Sequence, residues 1–126
     1  GDLVAATEVN LRMWVDGPKR NPEQVNPSVR ERVREMQFHA FTLPIPEGAE
    51  ELPSTSPAIA RLAEIRVPTL IIVGDHDIQP KLTLADRLAT EIPGAKQVVI
   101  PGVAHMVNME QPEEFNRIVL NFLGEQ

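Results

Sequence analysis

The second half of this 126-residue chain predicts an α/β fold, with parallel strands flanked by helices, and three observations carry that expectation. Two short apolar runs, residues 69–73 and 97–100, are rich in Val and Ile and have the length of strands. A helical pattern, Leu84, Ala85, Leu88, Ala89 and Ile92, lies between them and stops at Pro93-Gly94. A third helix follows Pro112, with Phe115, Ile118, Val119, Phe122 and Leu123 on one stripe that ends at Gly124. Strands that alternate with helices and are apolar along their whole length are expected to pair in parallel, covered on both faces.

The remaining elements are read in chain order. Leu3, Thr7, Leu11 and Trp14 recur at helical spacing, Val4 and Val15 broaden the stripe, and Gly17-Pro18 ends it. Asn26 offers an N-cap and Pro27 a first helical residue. Val29, Val33 and Met36 then share one face, opposite Arg30, Arg32, Arg34 and Glu35. Residues 44–53 hold three prolines and three glutamates without periodicity, and read as a linker or hinge. Ser56-Pro57 starts a short helix containing Ile59, Leu62 and Ala63. Glu113 and Glu114 sit in the first turn of the last helix, where the helix dipole favours negative charge. The division this suggests is a helical segment over residues 1–53 and an α/β unit over residues 54–126.

Composition narrows the function classes. A net charge of −6 without a basic stripe argues against nucleic-acid or anionic-membrane binding. With no cysteine the chain has neither disulfides nor thiolate metal ligands, which is compatible with a reducing compartment. No apolar run approaches the roughly 20 residues of a membrane helix, and no leader pattern is visible at the N-terminus, so a cytoplasmic protein is expected.

The chemistry concentrates at the ends of the two strands. The first stops at Gly74 and delivers Asp75, His76 and Asp77; the second ends in Pro101-Gly102-Val103-Ala104-His105. An acid at one strand end and a histidine at the next supply two members of a nucleophile–histidine–acid triad. Asp77 has the alternative reading of a turn former, Asp75 that of an acceptor for nearby backbone amides, and His105 that of a satisfied loop histidine. His76 is expected to face solvent in the turn. Adjacent residues such as Asp75, His76 and Asp77 rarely converge on one ion, so no metal site is expected, and no cofactor. The nucleophile has no candidate: there is no G-x-S-x-G, and the only serines are Ser28, Ser54 and Ser56.

Four stretches together resemble the C-terminal part of the α/β-hydrolase superfamily: Val67-Pro68-Thr69-Leu70-Ile71-Ile72-Val73-Gly74-Asp75-His76-Asp77, Ile92-Pro93-Gly94-Ala95, Pro101-Gly102-Val103-Ala104-His105-Met106 and Glu110-Gln111-Pro112-Glu113-Glu114-Phe115. The resemblance implies Asp77 as triad acid, His105 as triad base, and a nucleophile (Ser, Asp or Cys) upstream of Gly1. It also implies that the segment before Pro57 is a helical cap. Trp14, Met36, Phe38 and Phe41 either pack within that cap or roof a pocket for a substrate with an apolar portion, and Met106 would join them.

Three readings are compatible with these residues. In the first, the chain is part of a hydrolase acting on ester, lactone or related bonds, inactive alone because the nucleophile is missing. In the second it is a non-catalytic ligand-binding or assembly module of the same fold, and in the third a metal-binding or structural domain. Two strands leave unpaired edges and uncovered apolar surface. The expected partner is therefore the missing N-terminal half or a second copy in a homodimer, with residues 44–53 as the hinge of a swap.

Overall fold

The computed structural model describes residues 1–53 and 55–125; Ser54 and Gln126 lie outside the described residues. Asp2 caps the first helix, α1 (Leu3–Leu11), its carboxylate accepting from the Ala5 N–H. The chain then widens into a π-helical turn, Arg12–Asp16, closed by Gly17 at φ 72°. Thr7, Leu11, Val15 and Asp16 are buried and Val4 is exposed, so the buried stripe runs through Val15 and not through Val4. Helix α2 (Pro27–Thr42) starts as the sequence requires, with the Asn26 side chain accepting from the Ser28 N–H and Pro27 at the first position. Its inner face differs from expectation: Val33 and Arg30 are buried, whereas Met36 is 52% exposed. Arg30 is drawn inward because Asp16, fully buried, accepts from its Nε at 3.0 Å.

No helix or strand occupies residues 44–53, in keeping with a linker. The helix expected after Ser56 is instead two single 3₁₀ turns, Ala58–Ala60 and Leu62–Glu64, of which Leu62 alone is buried. Such turns arise where a segment is too short to repay helix nucleation.

Strand β1 (Leu70–Gly74) and strand β2 (Lys96–Ile100) pair in parallel, with Leu70 opposite Lys96 and Gly74 opposite Ile100. Helix α3 (Gln79–Glu91) forms the crossover, and α4 (Val107–Glu110), which the sequence pattern did not reveal, precedes α5 (Pro112–Gly124). Alternation along β1 splits its side chains between two faces. Leu70 and Ile72 pack with Phe115 and Ile118 of α5, while Ile71 and Val73 share a cavity with Leu84, Ala85 and Leu88 of α3. Coverage is thinner than predicted, since Val99 on β2 is 51% exposed. A second apolar cluster, Leu11, Val15, Val25 and Val33, takes in Met106 and Met109 and so fastens the helical segment to the loop after β2.

Candidate active site

Gly74 marks the end of β1, and its missing side chain sets how closely the two strand-end loops can pack. A Cβ there would stand 2.2 Å from the Val103 carbonyl oxygen and 2.3 Å from that of Ala104. Only glycine lets the loops approach to this distance. The ladder continues past the strands: Asp75 N–H donates to Ile100 O at 3.1 Å and His76 N–H to Val103 O at 3.0 Å. The Asp75 carboxylate accepts from Gly102 N–H at 2.7 Å, one of the roles open to it from sequence.

This packing delivers Asp77 and His105 to one point. Nδ1 of His105 lies 2.7 Å from Oδ2 of Asp77, and the other carboxylate oxygen accepts from the Ile78 N–H at 2.7 Å. Asp77 is 3% exposed and the His105 side chain 40% exposed. A carboxylate can only accept, so Nδ1 is the donor to Asp77, and in the neutral imidazole of that tautomer Nε2 keeps a lone pair. Among the described residues Nε2 has no hydrogen-bond partner.

The helical segment completes the surroundings. The Trp14 ring stands 4.8 Å from the His105 ring, tilted by 51°, and Trp14 O accepts from the His105 N–H at 3.2 Å. Lys81 Nζ sits 5.6 Å from the centre of the same indole. Gly17 touches the far side of the site, where a Cβ would meet His76 O at 2.2 Å. His76 is half-buried, not solvent-facing, and its Nδ1 is buried without a partner among the described residues.

A cavity of about 160 Å³ lies between Asp77, His105, Lys81 and the α3 face of β1. Ile78, next to Asp77 in sequence, borders an open, largely apolar groove of about 580 Å³, lined also by Ala5, Val9, Met13 and Pro18 and by Glu8 and Arg12. Of the residues expected at a substrate pocket, Trp14 lies at the pair and Met106 packs in the cluster beneath the loop. Phe38 lines a separate groove with Val4 and Glu8; Met36 and Phe41 are exposed on α2 and line neither the cavity at His105 nor the groove at Ile78.

Two ion-pair groups beneath the site were not foreseen. Asp16 binds Arg30 and Arg12, and Arg30 also pairs with Glu8. Its hydrogen bond to Asp16, reinforced by that to Glu8, raises the guanidinium pKa; Arg30 and Arg34 in turn hold Glu8 below the usual glutamate range, against a smaller opposing effect of burial. The second group is Arg20 with Glu110, both side chains less than a tenth exposed. A sequence signal existed in the dense charge around Asp16-Gly17-Pro18-Lys19-Arg20, but it named no partners.

No protein-family model matches the chain. Curated relatives match about half of it: a 2-hydroxy-6-oxononadienedioate/2-hydroxy-6-oxononatrienedioate hydrolase of Pseudomonas putida is 41% identical over 64 residues, 51% of this chain and 22% of that protein. Carboxylesterase YbfK of Bacillus subtilis is 33% identical over 63 residues, 49% of this chain and 21% of that protein. Among solved structures, an enol-lactonase from Burkholderia xenovorans superposes with a TM-score of 0.67 at 21% identity, covering 97% of this chain and 45% of that one. The B. subtilis carboxylesterase itself gives 0.62 at 21% identity, covering 98% and 42%. The chain thus carries the C-terminal portion of the α/β-hydrolase fold. Most of its sequence relatives are named as hydrolases or esterases, and the aligned region spans less than a third of their length.

Proposed function

We propose that this chain supplies the acid and the base of an ester-type hydrolase, Asp77 and His105, to a nucleophile carried by polypeptide outside it. The hydrogen bond of 2.7 Å between a nearly buried carboxylate and a half-exposed imidazole carries the reading. In the reaction, Nε2 of His105 takes the proton of the attacking hydroxyl or thiol and returns it to the leaving group. Asp77 holds the Nδ1–H tautomer and stabilises the imidazolium as it forms. If the nucleophile is instead an aspartate, the same imidazole activates the water that cleaves the covalent intermediate.

The surroundings suit a split site. Ligand pockets enclose roughly 300–1,000 Å³, and the cavity at the pair, about 160 Å³, is smaller. Further walls would come from polypeptide packed on the open edge of β1. The apolar groove at Val9, Met13 and Ile78 would hold the apolar portion of the substrate. We place residues 1–53 as the cap and name the nucleophile-bearing polypeptide as the partner. A second copy of the chain is the alternative partner.

Hydrolysis of p-nitrophenyl esters tests this. The isolated chain should release no p-nitrophenol above its His105→Ala variant, and adding the upstream half should restore His105-dependent turnover. Clear His105-dependent turnover by the isolated chain would overturn the proposal.

A further inference from the structure

Arg20 uses all five of its N–H donors. Nε donates to Asp16 O at 2.9 Å, Nη1 to Gly102 O at 2.9 Å and Glu110 Oε2 at 2.6 Å, and Nη2 to Val15 O at 2.6 Å and Glu110 Oε1 at 2.9 Å. Glu110 Oε1 also accepts from the Ala104 N–H at 3.1 Å. The acceptors fall into two sets. Val15 and Asp16 close the π-helical turn, where a helix end leaves carbonyls without internal partners. Gly102, Ala104 and Glu110 surround His105 in sequence, and the next backbone group, the His105 N–H, is held by Trp14 O of the same turn.

We propose that Arg20 and Glu110 are positioning residues, a buried clamp that fixes the His105 loop against the π-helical turn so that the imidazole meets Asp77. The clamp grips the chain on both sides of His105 and leaves the imidazole itself free. A bidentate guanidinium–carboxylate pair suits the task, because its planar fork fixes direction as well as distance. Stability alone does not require such a pair, since apolar replacements of buried ion pairs are often neutral or better. The proposal rests on reading Asp77 and His105 as an acid–base pair.

The test is nitrogen-15 NMR of the imidazoles in the whole chain, with His105 signals assigned by their loss in His105→Ala. Wild type should show His105 as the Nδ1–H tautomer and Asp77→Ala a mixture. Glu110→Ala and Arg20→Met should shift His105 toward that mixture, and Glu110→Ala, which removes the acceptor of the Ala104 N–H, should speed amide exchange there by roughly tenfold or more, as loss of a hydrogen bond to a charged group predicts. Glu110→Gln keeps an acceptor for Ala104 and should restore most of the wild-type signature. Where Glu110→Ala and Arg20→Met do not fold, Arg20→Lys decides. Its three donors cannot serve five acceptors, so a mixed tautomer supports the clamp and a wild-type tautomer overturns it. Loss of folding in Arg20→Lys and Glu110→Gln as well would reduce the pair to a structural one and overturn the positioning role. A wild-type chain with the same mixture as Asp77→Ala would instead sink the acid–base reading beneath it.

Discussion

Replacing Gly74 by alanine should displace the His105 loop without touching either side chain of the hydrogen-bonded Asp77–His105 pair. The added Cβ would lie 2.2 Å from Val103 O, 2.3 Å from Ala104 O and 2.8 Å from Val103 C, where ordinary contact begins at 3.4 Å. The obstacle on every side is backbone, so relief requires the 103–104 segment to retreat by about 1 Å, and no side-chain rotation can provide it. That retreat weakens the His76 N–H bond to Val103 O and pulls at the bond of 2.7 Å between His105 and Asp77. Overpacking of this kind costs about 1–3 kcal/mol, and the rigid surroundings place Gly74→Ala near the upper end. For a chain of this size that lowers the melting temperature by on the order of 10 °C. Differential scanning calorimetry gives the melt, and the His105 nitrogen-15 spectrum gives the pair. A misplacement of about 1 Å at a reacting group can cost on the order of 100-fold in rate, so any turnover regained with the proposed nucleophile-bearing partner should fall with the spectrum. A Gly74→Ala chain that melts within about 2 °C of wild type, below what even the smallest overpacking cost implies, and keeps the wild-type His105 spectrum would refute the close-approach argument.

Three further outcomes are expected. Asp16→Ala should destabilise the chain by about 3 kcal/mol, because it leaves the Arg30 guanidinium buried with only Glu8 to pair with; denaturant melts measure this. Glu8 has its pKa lowered in the fold, so its contribution is present above the unfolded glutamate pKa and disappears as pH falls through the folded value. Being half-exposed, it should contribute under about 1 kcal/mol, and Glu8→Gln should flatten the acid limb of a melting-temperature profile by a matching amount. Trp14 is the sole tryptophan and packs on His105, so its fluorescence should change as the imidazole gains a proton, and His105→Ala should abolish that change.

The elements that could be read from sequence are those whose signals are local. The stripe of α5, the Asn26-Pro27 start of α2 and the two β-branched runs each depend on residues within a few positions, and each element formed. The parallel pairing followed from the same runs, and the bond between Asp77 and His105 from the strand order. What stayed hidden depends on partners distant in sequence. Arg30 looked like a solvated face because its reason for burial, Asp16, lies 14 residues away, on the π-helical turn. Arg20 and Glu110 meet across 90 residues. The π-helical turn itself has no sequence signature of its own, and it shifts the buried stripe from Trp14 to Val15. Met36, Phe38 and Phe41 are large and apolar like Trp14, yet from α2 none of them lines the cavity at His105. The larger groove at Ile78 includes Val9 and Met13, whose apolar character alone marked nothing.

Whether Asp77 and His105 act as one catalytic unit is settled most directly by a double-mutant cycle in this chain combined with the nucleophile-bearing polypeptide proposed as its partner. Asp77→Asn should lower kcat by about 10⁴ and His105→Ala by about 10⁶ with KM nearly unchanged, and the double variant should be little worse than His105→Ala alone, as for residues that work through a single proton transfer. Losses that multiply in the double variant, or an Asp77→Asn enzyme within about tenfold of wild type, far short of what loss of a triad acid causes, would contradict the account.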